Sequence, residues 1–230
     1  MKTDNPKKEA EGINVVLVGA FNPAIFHPEW YLRHELIQEG SPEASQVVSP
    51  QVSQIQIDGV TVTCLPERLT FETGDPIAFS RVQDLAIGTL RLLPHTPVTA
   101  IGINRRIHWG LNDEAHWHKI GHALAPKDGV WNGLLENPGM RSLRIQSPSG
   151  QETRHPGNIT VTVEPSRVVR PGLYVAVNLE FRCNSEESGL DSAGVARDVV
   201  LAEWDVAEGW ADKASAKIFE KIPSTDKNDD

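Results

Sequence analysis

The amino-acid sequence predicts an α+β protein in which two related halves share one large antiparallel sheet, with the helices on one face. Three observations support this fold class. Segments with apolar residues at every second position, typical of strands, alternate with segments of helical spacing. Glycine and proline separate these segments. The order strand, helix, about four strands, helix occurs twice, over residues 13–95 and 98–222, which we expect to form one compact body.

The first half begins with a β-branched apolar run, INVVLVGAF (13–21), which is expected to be a strand. A helix with the sequence EWYLRHELIQEG should follow, because Pro28 suits a first helical turn and Gly40 a helix end. Three alternating stretches, SQIQID, GVTVTCL and RLTFET, and a weaker one, VVS, are predicted strands. Asp75 and Pro76 then predict the start of a second helix, which two later prolines end.

The second half begins with VTAIGINRRIHWG (98–110), a predicted long strand that leads into a histidine-rich helix. Four further stretches, SLRIQS, NITVTVEP, GLYVAVNLEF and DVVLAEW, are interpreted as strands, and the third has the clearest alternation. The last helix is expected to begin at Asp205. Glu208 lies three positions later, as in a capping box.

Composition and charge limit the classes of function. The net charge of −9 opposes non-specific binding to nucleic acid, whose phosphates are contacted by Lys and Arg. No apolar run approaches the roughly 18 residues of a membrane span, and the charged start has no secretory-signal pattern. Cys64 and Cys183 do not form a disulfide framework and are interpreted as buried residues. We therefore expect a cytoplasmic protein, with polar disordered tails at 1–12 and 223–230.

The stretch GLNDEAHWHKIGHAL (110–124) is the best candidate for chemistry because it carries three histidines. On a helix, an apolar stripe around Ile120 would face the core. Glu114, His118 and His122 would share the opposite side, because residues four apart lie one above another. Two imidazoles and a carboxylate could hold zinc with one open coordination position. However, a lysine follows His118 where the HExxH motif has glutamate. A solvated helix face is therefore preferred, and a metal-dependent enzyme is the alternative.

A first prediction follows from the expected position of His118 and His122 on the side of the helix opposite the apolar stripe. The double change His118→Ala, His122→Ala should leave folding and activity nearly intact, because surface substitutions typically change stability by no more than about 0.5 kcal/mol. Thermal unfolding of the parent and the double variant measures the difference. A fall in melting temperature, together with a metal-dependent rise in the melting temperature of the parent, would contradict the surface interpretation.

Two strand-to-helix passages, 21–30 and 102–110, carry more polar residues than a core passage requires. Equivalent strands of a duplicated fold tend to pair about the pseudo-two-fold axis, so their ends and the following turns should come together. We therefore expect six residues of these passages to lie near one another, namely Asn22, Trp30, Asn104, Arg105, His108 and Trp109. The candidate binding residues are Asn22, His27, Trp30, Asn104, Arg105, Arg106, His108 and Trp109.

Adjacent arginines on a strand point to opposite faces, so one of Arg105 and Arg106 must be paired within the protein. We expect Arg106 to be exposed and Arg105 to pair with a carboxylate such as Glu164 or Glu180. The alternative is an anion or partner contact where the halves join, with Trp109 as a stacking surface.

Gly102, Asn104 and Ile107 in VTAIGINRRIHW match part of a strand pattern, GxRYxNxI, although the tyrosine is absent. Over this short stretch the chain resembles a sporadically distributed, uncharacterised family of bacterial proteins of similar length. The resemblance implies a cytoplasmic bacterial protein of the accessory, mobile-element or defence type, and it brings no catalytic residues. The order of elements also resembles the pseudo-duplicated saddle of TATA-binding-protein-like folds.

These observations favour a non-enzymatic cytoplasmic binding or accessory protein, such as a subunit of a bacterial mobile-element or defence system. We expect no cofactor, no membrane association and a protein partner in a homo- or hetero-oligomer. A nucleic-acid binder is suggested only by the resemblance to a saddle and is opposed by the net charge. The metal-dependent enzyme that uses the helical histidines is the alternative function.

Overall fold

Nine strands and four α-helices make up the computed structural model, which describes residues 6–40, 42–183 and 191–222. The strands are β1 (Lys7–Gly19), β2 (Pro42–Val48), β3 (Ser53–Ile57), β4 (Val60–Leu65), β5 (Arg68–Thr73), β6 (Val98–Gly110), β7 (Leu143–Pro148), β8 (Gly157–Pro165) and β9 (Gly172–Arg182). The helices are α1 (Pro28–Arg33), α2 (Phe79–Leu92), α3 (Glu114–Leu124) and α4 (Ser192–Lys221).

All nine strands form one sheet in the order β2-β3-β4-β5-β1-β6-β9-β8-β7, and every neighbouring pair is antiparallel. The pair formed by β1 and β6, called the seam below, lies near the centre. Strands from residues 42–73 extend the sheet on one side of the seam, and strands from residues 143–182 extend it on the other. The predicted fold class, an α+β protein with a large antiparallel sheet, is confirmed. The structural relation between the two halves stays a prediction.

One face of the sheet is apolar and is covered by the helices. Alternate residues of each central strand are buried there, as Val60, Val62 and Cys64 are in β4. Helix α2 packs on β1 and β5, α4 packs on β6 and β9, and the two helices contact each other. Tyr31 of α1 joins the same core, and Ile120 of α3 joins a second apolar cluster on the same face. The described helices therefore leave the other face of the sheet open.

Helix α1 is shorter than the sequence pattern indicates. It ends at Arg33 instead of near Gly40, and Glu35 adopts a left-handed φ of 56° that no α-helix continues. His27, which precedes Pro28, is its N-cap residue. The short helix still anchors the core, because Tyr31 is fully buried.

Helix α4 is longer than predicted. It begins at Ser192 and includes DVVLAEW, which we expected to be a strand, so three strands follow α3 instead of four. Asp205 lies inside this helix and not at its start. The reason is a buried stripe with helical spacing, formed by Ala193, Ala196, Val199, Val200, Trp204, Ala207 and Ala211. Although α4 has 30 residues, no helix in the described part of the chain is apolar enough over a sufficient length to cross a membrane.

The start of β1 corrects the prediction of a disordered tail at 1–12. The strand begins at Lys7, and its first residues pair with the end of β6. Lys8 Nζ contacts the carboxylates of Glu11 at 3.0 Å and Asp212 at 2.9 Å, so the charges at this end help to hold the strand in place. Residues 1–5 and the predicted tail at 223–230 lie outside the described residues.

The seam has little space at the end of β1. A Cβ atom at Gly19 would overlap the carbonyl oxygen of Pro97, and backbone atoms cannot move aside as a flexible side chain can. Gly19→Ala should therefore lower the free energy of unfolding by about 1–3 kcal/mol in urea denaturation. Gly209→Ala is the control, because Gly209 lies in α4 with no atom within 4 Å of an added Cβ. It should leave stability unchanged or raise it by up to about 1 kcal/mol. Equal stability of both variants would contradict this account.

Candidate functional site

A row of polar side chains crosses the face of the sheet that the described helices leave uncovered, called the open face below. Directly paired residues in an antiparallel sheet point to the same face, so the strand register brings these side chains side by side. The row contains, in order from β3 to β7, Gln56, Thr61, Glu72, Asn14, Asn104, Asn178, Thr160 and Gln146. We call it the polar row.

Hydrogen bonds fix the centre of the polar row. Asn104 Nδ2 donates to Asn14 Oδ1 at 2.7 Å, and Asn14 Nδ2 donates to Glu72 Oε2 at 3.2 Å. Arg106 Nη1 donates to the same Glu72 oxygen at 3.1 Å. The two amides are therefore oriented by a chain of bonds that ends on a carboxylate, and the positive charge of Arg106 offsets the negative charge of Glu72.

Asn178 continues the polar row beyond Asn104, and its Oδ1 atom is buried without a hydrogen-bond partner among the described residues. An unpaired buried acceptor costs about 1–3 kcal/mol. Gly102 leaves space beside it, because a Cβ there would lie 3.5 Å from Asn178 Oδ1 and 3.6 Å from Asn104 Nδ2. The amides line a depression of about 580 Å³ that also includes Arg106 and Tyr174. The polar row therefore includes one buried acceptor that the described residues leave unpaired.

His108 forms a second polar group on the open face, towards the end of β6. Its ring packs on Tyr174 with ring centroids 4.8 Å apart, and its Nδ1 lies 2.9 Å from Ser166 Oγ. Ser166 Oγ already accepts from two backbone N–H groups of the following turn, so its hydroxyl donates to His108 Nδ1. Burial, with a smaller contribution from the charge of Arg106, lowers the pKa of His108. Ser166 is only 3% exposed, so this pair holds the turn and offers no accessible nucleophile.

The prediction that the two passages come together, with Asn22, Trp30, Asn104, Arg105, His108 and Trp109 near one another, is wrong. Because β1 and β6 are antiparallel, Gly19 pairs with Val98 at one end of the seam, whereas Lys8 pairs with Trp109 at the other. The passages that follow the two strands therefore leave from opposite ends, roughly 36 Å apart at about 3.3 Å per residue. Asn22, His27 and Trp30 lie beyond the end of β1, Asn104, Arg106 and His108 lie on the open face, and Arg105 and Trp109 lie on the covered face.

The three candidate residues of the first half have local structural roles. Asn22 Oδ1 accepts from the Ala24 N–H at 3.1 Å and begins a short 3-10 turn. His27 caps α1, with Nδ1 3.3 Å from the Trp30 backbone N. Trp30 packs edge-on against Tyr31 with ring centroids 4.9 Å apart. Capping and packing account for these residue types without a ligand.

Arg105 and Arg106 point to opposite faces, as the strand geometry predicts. Arg105 is 3% exposed, and its guanidinium lies 4.6 Å over the Phe79 ring. It donates to the Glu11 carboxylate and to the Gly12 backbone carbonyl oxygen, the latter at 3.2 Å. The charge of Arg105 is thus neutralised by a residue of β1.

The expected partners of Arg105, Glu164 and Glu180, are incorrect. Both side chains line depressions on the open-face side, whereas Arg105 faces the helices. Burial alone would raise the pKa of Glu11, but hydrogen bonds from Arg105 and Lys8 outweigh it and leave that pKa below its usual value. Glu11 therefore stays ionised at neutral pH.

Trp109, at the end of β6, belongs to the covered face. Its Nε1 donates to Ser215 Oγ of α4 at 2.9 Å, and its ring meets Phe219 edge-on with centroids 5.4 Å apart. The indole joins β6 to α4, so it is not the stacking surface that the sequence suggested.

The helical histidines do not assemble a metal site. In the part of the chain that the structure describes, no group of three or more His, Cys, Asp or Glu side chains is placed to hold a metal ion, so Glu114, His118 and His122 do not form one. His122 Nε2 instead lies 3.0 Å from Asp128 Oδ2 at the surface. His116 is 1% exposed, and its Nε2 lies 2.9 Å from the Ile222 carbonyl oxygen.

Sequence reasoning missed Asn14, Glu72 and Asn178 as members of the site. Each is a polar residue at an outward position of a strand whose alternate residues are apolar, which is the signal that was available. Their alignment in one row depends on the register of long-range strand pairs, which a single sequence does not reveal.

No protein-family model matches this chain, and no curated protein matches it either. Function is therefore inferred below from the surfaces of the molecule and their charges.

The two adjacent arginines provide a matched test of the two faces. Arg105→Ala removes the cation from a buried ion pair and leaves Glu11 without its main partner, so it should cost about 3 kcal/mol of unfolding free energy. Arg106→Ala removes a partly exposed ion pair on the open face and should cost at most about 1 kcal/mol. Urea denaturation measures both values, provided that the dependence of the unfolding free energy on urea concentration is the same in the parent and the variants. Equal losses would contradict the assignment of Arg105 to the structure and of Arg106 to the open face.

Proposed function

We propose that the protein is a non-enzymatic cytoplasmic binding or accessory protein that binds a protein partner through the open face of its sheet. The observation that carries this proposal is the polar row, which has oriented amides and one unpaired buried acceptor, Asn178 Oδ1, on a face that the described helices leave uncovered. The apolar core and the described helices lie on the other face of the sheet. The open face therefore does not contribute to the burial of the core.

The chemistry of the open face favours a protein over a nucleic acid. Asparagine and threonine side chains both donate and accept hydrogen bonds, as the polar groups of a protein surface do. Arg106 and Arg144 are interspersed with Glu72, Glu164 and Glu180, so the face has mixed charge. A phosphate backbone requires a contiguous basic surface, which this arrangement does not provide.

The bacterial accessory or defence role follows from the short resemblance around β6. Two of its three matching residues, Gly102 and Asn104, lie on the open face beside Asn178, and the third, Ile107, is buried in the core. A family pattern that places two of its residues beside the unpaired acceptor supports a shared binding role. We therefore propose a subunit of a mobile-element or defence assembly.

The test is quantitative capture of partners from the native host by the parent protein and two variants. Asn104→Ala, Asn178→Ala removes the two central amides of the polar row. Gln51→Ala, Gln83→Ala is the matched control, because it removes two amides outside the polar row. We expect a defined partner to be captured by the parent and the control and lost with the open-face variant, since truncating a residue at the energetic centre of an interface costs about 2 kcal/mol or more.

Thermal unfolding of all three proteins separates lost binding from lost folding. Capture of the same proteins in equal amounts by both double variants, with both folded, would refute a role for the open face. Capture by the parent of nothing above background would refute a stable protein partner.

A further inference from the structure

A groove of about 1190 Å³ lies between α3, the segment 125–142 that follows it, and the turn 166–171 between β8 and β9. Its lining includes two tryptophans and four cations, namely Trp117, Trp131, Lys127, Arg141, Arg167 and Arg170. We propose that this groove, called the arginine groove below, binds an acidic protein segment that carries apolar side chains. The proposal concerns a site separate from the polar row and does not depend on binding there.

The arginine groove carries an excess of positive charge, because its lining has four cations and two carboxylates, Glu114 and Glu164. Arg141, Arg167 and Arg170 are exposed, and within the described ranges none of them has an ion-pair or hydrogen-bond partner for its side chain. By contrast, Arg81 pairs with Asp58, and Arg106 pairs with Glu72. In a chain with 31 acidic and 22 basic residues, three unpaired guanidinium groups around one groove form a local positive region. Guanidinium groups bind carboxylates through two parallel hydrogen bonds.

The turn that carries two of these arginines has a fixed backbone. The Ser166 N–H donates to the Gly172 carbonyl oxygen at 2.9 Å and closes the turn. Ser166 Oγ accepts from two N–H groups inside the turn, each at 3.1 Å. Arg167 and Arg170 therefore project from a backbone that needs no ordering when a ligand binds, which reduces the entropic cost of binding.

Exposed apolar side chains concentrate at the same groove. Of the eleven exposed large apolar residues in the described chain, five lie in the two segments that border it, namely Val130, Trp131, Leu134, Leu135 and Val168. Trp131 is 45% exposed and Leu135 is 52% exposed, and both line the groove. Tryptophan and arginine are the residues that contribute most often to the energetic centres of protein interfaces. Large exposed apolar patches similarly mark interaction sites.

A phosphate ligand fits this groove less well than a peptide. Phosphate sites use free backbone N–H groups at a turn or helix N-terminus, but Ser166 Oγ occupies two of those of the turn, at Val168 and Val169. The start of α3 is capped by Asp113 and carries Glu114, which lines the groove together with Glu164. These two carboxylates repel any nearby anion, which disfavours the closely spaced charges of a polyphosphate. Carboxylates spaced along a peptide can instead reach the arginines and leave apolar side chains against the tryptophans. The groove also exceeds the roughly 300–1,000 Å³ of small-molecule pockets.

The experiment selects ligands from a library of random peptides displayed on phage, using the whole protein as bait. We expect the enriched peptides to combine Asp or Glu with large apolar residues. A selected peptide, labelled with fluorescein, should bind Arg167→Ala, Arg170→Ala at least about tenfold more weakly than the parent in fluorescence anisotropy. The matched control, Arg33→Ala, Arg91→Ala, removes the same charge from exposed helical positions and should bind like the parent.

Three results would overturn the proposal. The first is that selection enriches no peptides, or peptides without an excess of acidic residues. The second is equal binding of the selected peptide to the parent and to the Arg167→Ala, Arg170→Ala variant. The third is that the groove is a phosphate site. In that case ATP or inorganic phosphate would bind the parent but not the variant, and would displace every selected peptide at a concentration below the dissociation constant of that peptide.

Discussion

Antiparallel pairing of β1 with β6 along nearly their whole lengths is the constraint on which the rest of the structure depends. The pairing joins the two parts of the sheet, sets which residues of both strands face the helices, and sends the following helices from opposite ends of the seam. Because strand residues alternate between faces, one register decides the surroundings of every residue in both strands. Ile13 opposite Arg105 and Asn14 opposite Asn104 belong to this one register.

Charged residues at the seam reinforce that register. A slip by one residue would move Arg105 to the open face, away from Glu11, and would place Asn104 in the apolar core. Breaking a buried ion pair and burying an unpaired amide are both costly, so alternative registers are strongly disfavoured. Lys8 and Asp212 extend the ion group to α4, which couples the position of that helix to the same register.

The fold class and the opposite orientations of Arg105 and Arg106 could be predicted from the sequence because both depend on local periodicity. The start of β1 could not be predicted, because its charged residues resemble a solvated tail. Their partners, Arg105 and Asp212, are distant in sequence and contact them only in the folded protein. DVVLAEW is equally ambiguous, since a short apolar run suits a strand or a buried helix. The polar row could not be predicted for a related reason. It contains one residue from each of several strands, and only long-range strand pairing aligns these residues.

The division between a covered and an open face also separates stability from function. The core consists of the apolar residues at alternate strand positions and of the helices that pack on them. The polar strand positions on the open face take no part in this packing. The unpaired acceptor of Asn178 and the exposed apolar side chains around Trp131 are both unfavourable in the isolated protein. Each becomes favourable when a partner supplies a donor or covers the apolar surface. Neither feature is explained by the packing of the core, and their cost is the physical argument for the two binding surfaces proposed above.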